Sequence, residues 1–268
     1  SQGMEKGLPK LIINSLGNCN SLVKIQIKGF ETNFSKKIAR LICKTSLDAI
    51  SLILGQRAMF NQVTIEEERL SPLQTHSIIE SNNHLWLPGL NSTERYKLFQ
   101  EKDIREVLNN SQKVIDAITI ILSSLVDPNK HKHPGLANRW SIALDWFAEA
   151  SRETNDGIAL TKIASSLDIL SCVGKRAGIT SMLSNFLGIE ENTQIIKGNN
   201  PQNLKQFVKK LYDDGRSKIL HGSYANRLES YAAIRKNAFY LTRLALLEAA
   251  IRLQNYNGQD IDKAFRSM

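Results

Sequence analysis

Residues 211–223, Leu-Tyr-Asp-Asp-Gly-Arg-Ser-Lys-Ile-Leu-His-Gly-Ser, hold the most chemistry per residue in this chain. Just upstream, Leu204, Phe207, Val208 and Leu211 recur at helical spacing, which predicts a helix from about Asn203 through Leu220. Gly222 is placed to be its C′ residue. Arg216 and His221 stand five positions apart in that helix. Histidine is the side chain whose ordinary pKa lies nearest neutrality, so it can carry proton transfers. Arginine is a permanent, fork-shaped donor for phosphate oxygens. Together they can move protons and stabilise phosphorane charge on RNA without a metal. On a regular α-helix five residues turn through about 500°, so Arg216 and His221 would point about 140° apart. Two copies of the helix meeting across a two-fold axis would bring both pairs into one cleft.

Working outward, the chain after Gly135 is predicted to be wholly helical. Trp140, Leu144 and Phe147 form one apolar stripe, and Leu160, Ile163, Leu167 and Leu170 a second, followed by Gly174. A last helix from about Ser230 to Gln254 carries Ile234, Ala238, Leu241 and Ala245. Each stripe suits one buried face, so a helical bundle is expected. Nearer the start, Leu11–Ile13 and Val23, Ile25 and Ile27 flank a Gly17-Asn18 turn, which predicts a short β-hairpin. Ile38, Ile42, Leu47, Ile50 and Leu54 predict a helix over Asn33–Leu54 with Gly55 as its stop. Residues 60–98 are mixed, with a candidate strand at Val63–Ile65, and a further helix is predicted from about Lys102 to Leu125. Asp127-Pro128-Asn129 and Pro134-Gly135 bound the best linker. The expected fold is therefore mainly α. An N-terminal region at 4–130, a small β-hairpin plus helices, packs on an antiparallel helical bundle at 134–268. Ser1-Gln2-Gly3, ahead of Met4, looks like an expression scar.

The string LYDDGRSKILHGS resembles the Apea-like branch of the HEPN superfamily, whose hallmark is arginine, four to six residues, then histidine. In that branch tyrosine, a short polar stretch, Arg-Ser-Lys, two aliphatics and His-Gly follow one another, as they do here. The flanking RWSIALDWFAEA and IALTKIASSLDILSCVG segments, then a loop, the motif helix and a long closing helix, fit the same pattern over about 130 residues. The resemblance implies a HEPN-type bundle, a homodimer with a composite active site, and ribonuclease activity centred on Arg216 and His221. It also implies an acidic residue on the second bundle helix facing the motif. Asp168 stands there, either orienting His221 or Arg216 or lying exposed as an ordinary polar residue. Ser217 departs from the Asn, Asp or His that many members carry after the arginine.

The formal charge is +9, and twelve Lys and Arg against six Asp and Glu from Pro201 onward place about +6 of it there. Such a balance suits an anionic partner such as RNA, or equally a solvated basic face. Lys218, Arg227 and Arg235 are candidates for phosphate contacts. Cys19, Cys43 and Cys172 are single and odd in number, which suggests neither a disulfide framework nor a zinc site and fits a reducing cytoplasm. His131 and His133 lack carboxylate or cysteine company, so a polar loop is a better account of them than a metal site. There is no G-x-x-x-x-G-K-[ST], G-x-S-x-G, H-E-x-x-H or dinucleotide-binding glycine set, and no apolar run long enough for a membrane span.

The expected activity is metal-independent, cofactor-free endoribonuclease cleavage by 2′-hydroxyl attack, leaving a 2′,3′-cyclic phosphate. The resemblance implies a toxin or anti-phage defence protein held in check by an antitoxin or other regulatory partner. The competing expectation is a non-catalytic helical dimer that binds nucleic acid or a partner protein.

Overall fold

Helices account for most of the described residues, which in this computed structural model are 23–65, 68, 74–76, 79–86, 90–92, 100–172, 175–198, 200–220, 222 and 230–268. Helix α1, Thr32–Leu54, begins at Glu31, whose carboxylate accepts hydrogen bonds from the Asn33 and Phe34 amides. It stops at Gly55, whose φ of 75° is the left-handed conformation that glycine adopts without strain. Helix α2 is Met59–Gln62. Two small antiparallel ladders follow: β1 (Gln74–His76) pairs with β4 (Leu90–Ser92), and β2 (Ile79–Ser81) with β3 (His84–Trp86). The β2–β3 turn is Asn82-Asn83 at φ 53° and 59°, the mirror-image turn that fits strand twist and that asparagine tolerates.

Then come α3 (Glu101–Asn110), α4 (Gln112–Val126), α5 (Pro134–Arg152), α6 (Asp156–Leu170) and α7 (Lys175–Leu187). A third ladder pairs β5 (Gln194–Ile196) with β6 (Gln202–Asn203). It leads into α8 (Leu204–Tyr212), a π turn at Asp213–Ser217, the single turn α9 (Lys218–Leu220) and the long α10 (Ala232–Asn255).

Five sequence expectations need correcting. The chain after Gly135 is not wholly helical, since β5 and β6 pair within it ahead of α8. Val23–Ile27 is not a strand, because a period-2 pattern does not by itself supply a ladder partner; its proposed mate, Leu11–Ile13, lies outside the described residues. Val63–Ile65 is a bend rather than a strand. The single helix expected over Lys102–Leu125 is two, broken at Ser111, whose φ and ψ of −106° and 17° leave the helical range. The segment expected as a loop before the motif contains the whole of α7.

One hydrophobic core joins α1 and α4 to the helices after Pro134; Leu52, Phe60, Ile121, Trp140, Phe147 and Leu246 all belong to it. Phe60 meets Phe147 edge-on at 5.6 Å, and Phe147 stacks on Phe239 at 5.0 Å. The Trp140 indole N–H donates to the Leu246 carbonyl at 2.8 Å, which satisfies its one polar group inside the core. Helices α5 and α6 form the tightest pair, and the Ser166 hydroxyl donates across it to the Ala143 carbonyl at 2.6 Å.

Helix ends leave carbonyls without intrahelical partners, and here arginines from other elements meet them. Arg243 on α10 donates to the Leu52 and Ile53 carbonyls at the end of α1, at 2.7 and 2.8 Å. Arg235 donates to the Ala150 and Glu153 carbonyls at the end of α5, at 2.9 and 2.6 Å. Arg266 reaches Ser171 and Cys172 after α6, at 2.7 and 2.8 Å, and Arg139 reaches Ile169 at 3.1 Å. Arg252 donates to the Asn185 carbonyl near the end of α7 at 3.2 Å. A cation at a helix C-terminus is also favoured by the macrodipole, by about 0.3–1 kcal/mol where exposed. The opposite end of α5 is served by Asp260, whose carboxylate accepts from the Gly135 and Leu136 amides at 2.8 and 2.9 Å.

Arg152, at the end of α5, is buried and ties α1 and α2 to the bundle. Its Nε donates to the Phe60 carbonyl at 2.9 Å and its Nη2 pairs with Asp48 of α1. Burial pushes the Asp48 carboxyl from the usual 3.8 up to about 7, against the downward pull of Arg152 and Lys44. Between those two values the folded state keeps a proton that the unfolded chain has lost, so stability falls as pH rises through that window and levels off above it. We expect the melting temperature of the protein to drop from pH 5 to pH 7.5, and the drop to be smaller in Asp48→Asn. Superimposable pH profiles for the two proteins would show that Asp48 titrates normally.

Candidate functional site

The motif is not a regular helix. After α8 the backbone widens into the π turn, closed by the Lys218 amide donating to the Asp213 carbonyl five residues back. Bonds of this kind widen the backbone, so residues 213–217 depart from the regular helix expected there. His221 and Arg227 lie outside the described residues; Gly222 is at φ 65°, with its amide donating to the Ile219 carbonyl at 3.3 Å.

Contacts with α6 shape the turn. The Thr161 hydroxyl donates to the Gly215 carbonyl at 2.6 Å, giving a partner to an acceptor that the widened turn displaces. Gly215 is pressed so closely to α6 that a Cβ there would lie 2.7 Å from the Leu160 side chain. The absence of a side chain at position 215 is thus a packing requirement.

Arg216 projects from this turn onto Asp168, in the last turn of α6. Its Nη2 is 3.4 Å from Asp168 Oδ2, its Nη1 donates to the Tyr212 hydroxyl at 2.8 Å, and its guanidinium carbon is 5.1 Å from the Tyr212 ring centroid. The Arg216 side chain remains 30% exposed, while Asp168 is buried at 4%. Asp168 therefore faces the motif, and the exposed alternative does not hold. Its other oxygen, Oδ1, accepts from the Lys175 amide at 3.1 Å, so the same carboxylate also anchors the first turn of α7. Where α6 gives way to α7, Cys172 and Lys175 both have left-handed backbones, at φ 57° and 48°.

The neighbouring acids are occupied by other cations. Asp213 pairs with Arg176 at 2.9 Å, and Asp214 with Lys218 at 2.6 Å. Arg216 Nε, itself buried, has no hydrogen-bond partner among the described residues. The Arg216 side chain as a whole is 30% exposed, so part of it stays within reach of an anion, the kind of partner that a guanidinium donates to. Beside the turn is a cleft of about 620 Å³ lined in part by Lys209, Lys210, Asp213 and Asp214.

Other expected site residues are placed differently. Lys218 is exposed, within its pair with Asp214. Arg235 is corrected: it is 4% exposed and bound to Asp156 at 2.7 Å as well as to the two α5 carbonyls, so it clamps the α5–α6 connection and is not a surface contact for phosphate. His133 lies against Tyr256, its Nε2 3.0 Å from the Tyr256 carbonyl, which makes it a docking point for the C-terminal segment. Among the described residues no cluster of His, Cys, Asp and Glu is arranged to hold a metal ion. Sequence reasoning missed Tyr212 as the second holder of Arg216 and Thr161 as the support of the turn. The Tyr-x3-Arg spacing, one helical turn, is the signal that could have found the former.

Gly215→Ala should lower stability by about 1–3 kcal/mol, because Leu160 cannot retreat inside a close-packed core. Circular dichroism melting checks this, and a wild-type midpoint would mean the turn does not press on α6.

Comparison with family models, with curated proteins and with solved structures found no match.

Proposed function

We propose that this protein is a metal-independent endoribonuclease of the HEPN type, acting as a homodimer whose motif segments face one another. The observation that carries this reading is the LYDDGRSKILHGS motif, with Arg216 held by Asp168 and Tyr212 and its side chain 30% exposed. In the proposed reaction His221 removes the 2′-hydroxyl proton, and the 2′-oxygen attacks the adjacent phosphorus. The P–O5′ bond breaks, and the leaving 5′-oxygen takes a proton from the second histidine of the dimer. The products are a 2′,3′-cyclic phosphate and a 5′-hydroxyl. Arg216 stabilises the phosphorane charge, a role that suits a cation fixed in advance. A toxin or anti-phage defence role, with an antitoxin or other regulatory partner, belongs to the same proposal. So does a cytoplasmic setting; among the described residues no single helix is long and apolar enough to cross a membrane.

A second reading has one observation in its favour. Asp168 both neutralises Arg216 and anchors α7, which is also what a purely structural ion pair would do. On that reading the protein is a non-catalytic helical dimer that binds nucleic acid or a partner protein.

Purified protein should cut labelled RNA in chelator and leave cyclic phosphate ends. His221→Ala should abolish cutting while sparing RNA affinity, and Arg216→Ala should lose comparable activity, each by about a hundredfold or more. Recovery only on adding a divalent metal would overturn the metal-free mechanism, and equal cutting by wild type and His221→Ala would remove His221 from it. Light scattering at micromolar concentration should give the mass of a dimer; a monomer would count against the composite site.

A further inference from the structure

A second cavity, of about 890 Å³, opens between the end of α1 and the first turns of α10. Its size falls within the roughly 300–1,000 Å³ of small-molecule pockets. Four cationic side chains line it, Arg57, Arg235, Lys236 and Arg243, against one carboxylate, Asp156. Arg235 and Asp156 satisfy one another at 2.7 Å, and Lys236 and Arg243 line the cavity beside them. Arg243 lies across the end of α1, where Gly55 makes room for it: a Cβ at position 55 would be 2.7 Å from the guanidinium. Its acceptors are the Leu52 and Ile53 carbonyls, both neutral, and burial lowers its pKa. A half-buried guanidinium without a carboxylate partner is a place where a bound anion gains most. Beside it Tyr240 is 50% exposed and lines the same cavity, braced from behind by the edge-on ring of Phe239 at 5.6 Å. An aromatic face beside a cationic wall matches a planar base attached to phosphate.

We propose that this cavity binds a nucleotide, its phosphate against Lys236 and Arg243 and its base on Tyr240. The cavity is separate from the motif: Asp156 marks one end of α6 and Asp168 the other, twelve residues or about 18 Å apart. The nucleotide can be free or part of an RNA strand, since both present the same base and phosphate. The inference does not depend on ribonuclease activity, because binding is measured without cleavage.

The test is calorimetric titration of the full chain at low salt with ATP, adenosine, inorganic phosphate and a 2′-O-methyl RNA hexamer, which 2′-hydroxyl attack cannot cut. ATP or the hexamer should saturate one site per chain, about tenfold or more tighter than adenosine or phosphate alone. Saturation by ATP identifies free nucleotide as a source; saturation by the hexamer only identifies the strand. Tyr240→Ala and Lys236→Glu, both at exposed positions, should each weaken binding about tenfold while keeping the wild-type melting temperature and mass in solution. Arg216→Ala should bind ATP as wild type does. The proposal is overturned if neither ATP nor the hexamer saturates, if phosphate alone binds as well as ATP, if both cavity variants bind normally, or if Arg216→Ala abolishes binding.

Discussion

Carbonyl oxygens in the last turn of a helix have no partner within that helix, and a buried helix end must find donors elsewhere. Here α1, α5, α6 and α7 each end against an arginine from another element: Arg243, Arg235, Arg266 and Arg252. An arginine suits the task because its fork can bridge two carbonyls at once and its charge is matched to the negative end of the helix. All four cross between segments at least 67 residues apart in sequence, so they set the helices in register as well as terminating them. The bundle that presents Asp168 and the motif turn depends on these joints.

This use of arginine changes the meaning of the charge pattern. The excess of Lys and Arg after Pro201 looks in the sequence like a surface for an anionic partner. Yet four of the six arginines in that region, Arg235, Arg243, Arg252 and Arg266, are engaged with backbone carbonyls. Nothing in residue type shows which arginines meet a helix end; only the position of that end does, and that is a tertiary fact. Among the described residues, cationic side chains also line the Lys209–Lys210 cleft and the cavity at the end of α1.

Much of the helical architecture was legible because its apolar stripes are regular. The stripes of Trp140, Leu144 and Phe147, of Leu160 to Leu170, and of Leu204 to Leu211 all fall in helices and are buried. Gly55 and Gly222 were legible as stops because glycine alone takes positive φ freely. Helix α7 was not: Lys-Arg-Ala-Gly-Ile-Thr-Ser-Met-Leu-Ser-Asn-Phe-Leu has glycine and hydroxyl residues on its buried side, Gly178 and Thr180 among them, which blurs the stripe. The β2–β3 hairpin was not legible either, because its strands are exposed throughout and carry no alternating apolar face. At the site, Asp168 opposite the motif could be anticipated from the resemblance, whereas the π turn could not. It exists because Gly215 lets the chain settle on Leu160 and Thr161 supplies a hydroxyl, neither of which is visible until α6 is in place.

The first turn of α5 has a property that concerns time rather than space. Its amides are held by Asp260, 125 residues further along the chain, and its neighbour His133 rests on Tyr256. A ribosome making this protein releases Pro134–Arg152 long before it makes either partner. At about 5–20 residues per second, the start of the central helix waits several seconds for its cap. Contacts of such long sequence separation form late and slow folding. The beginning of α5 is therefore among the last parts of the bundle to become secure on a nascent chain, and the end of the sequence is what secures it.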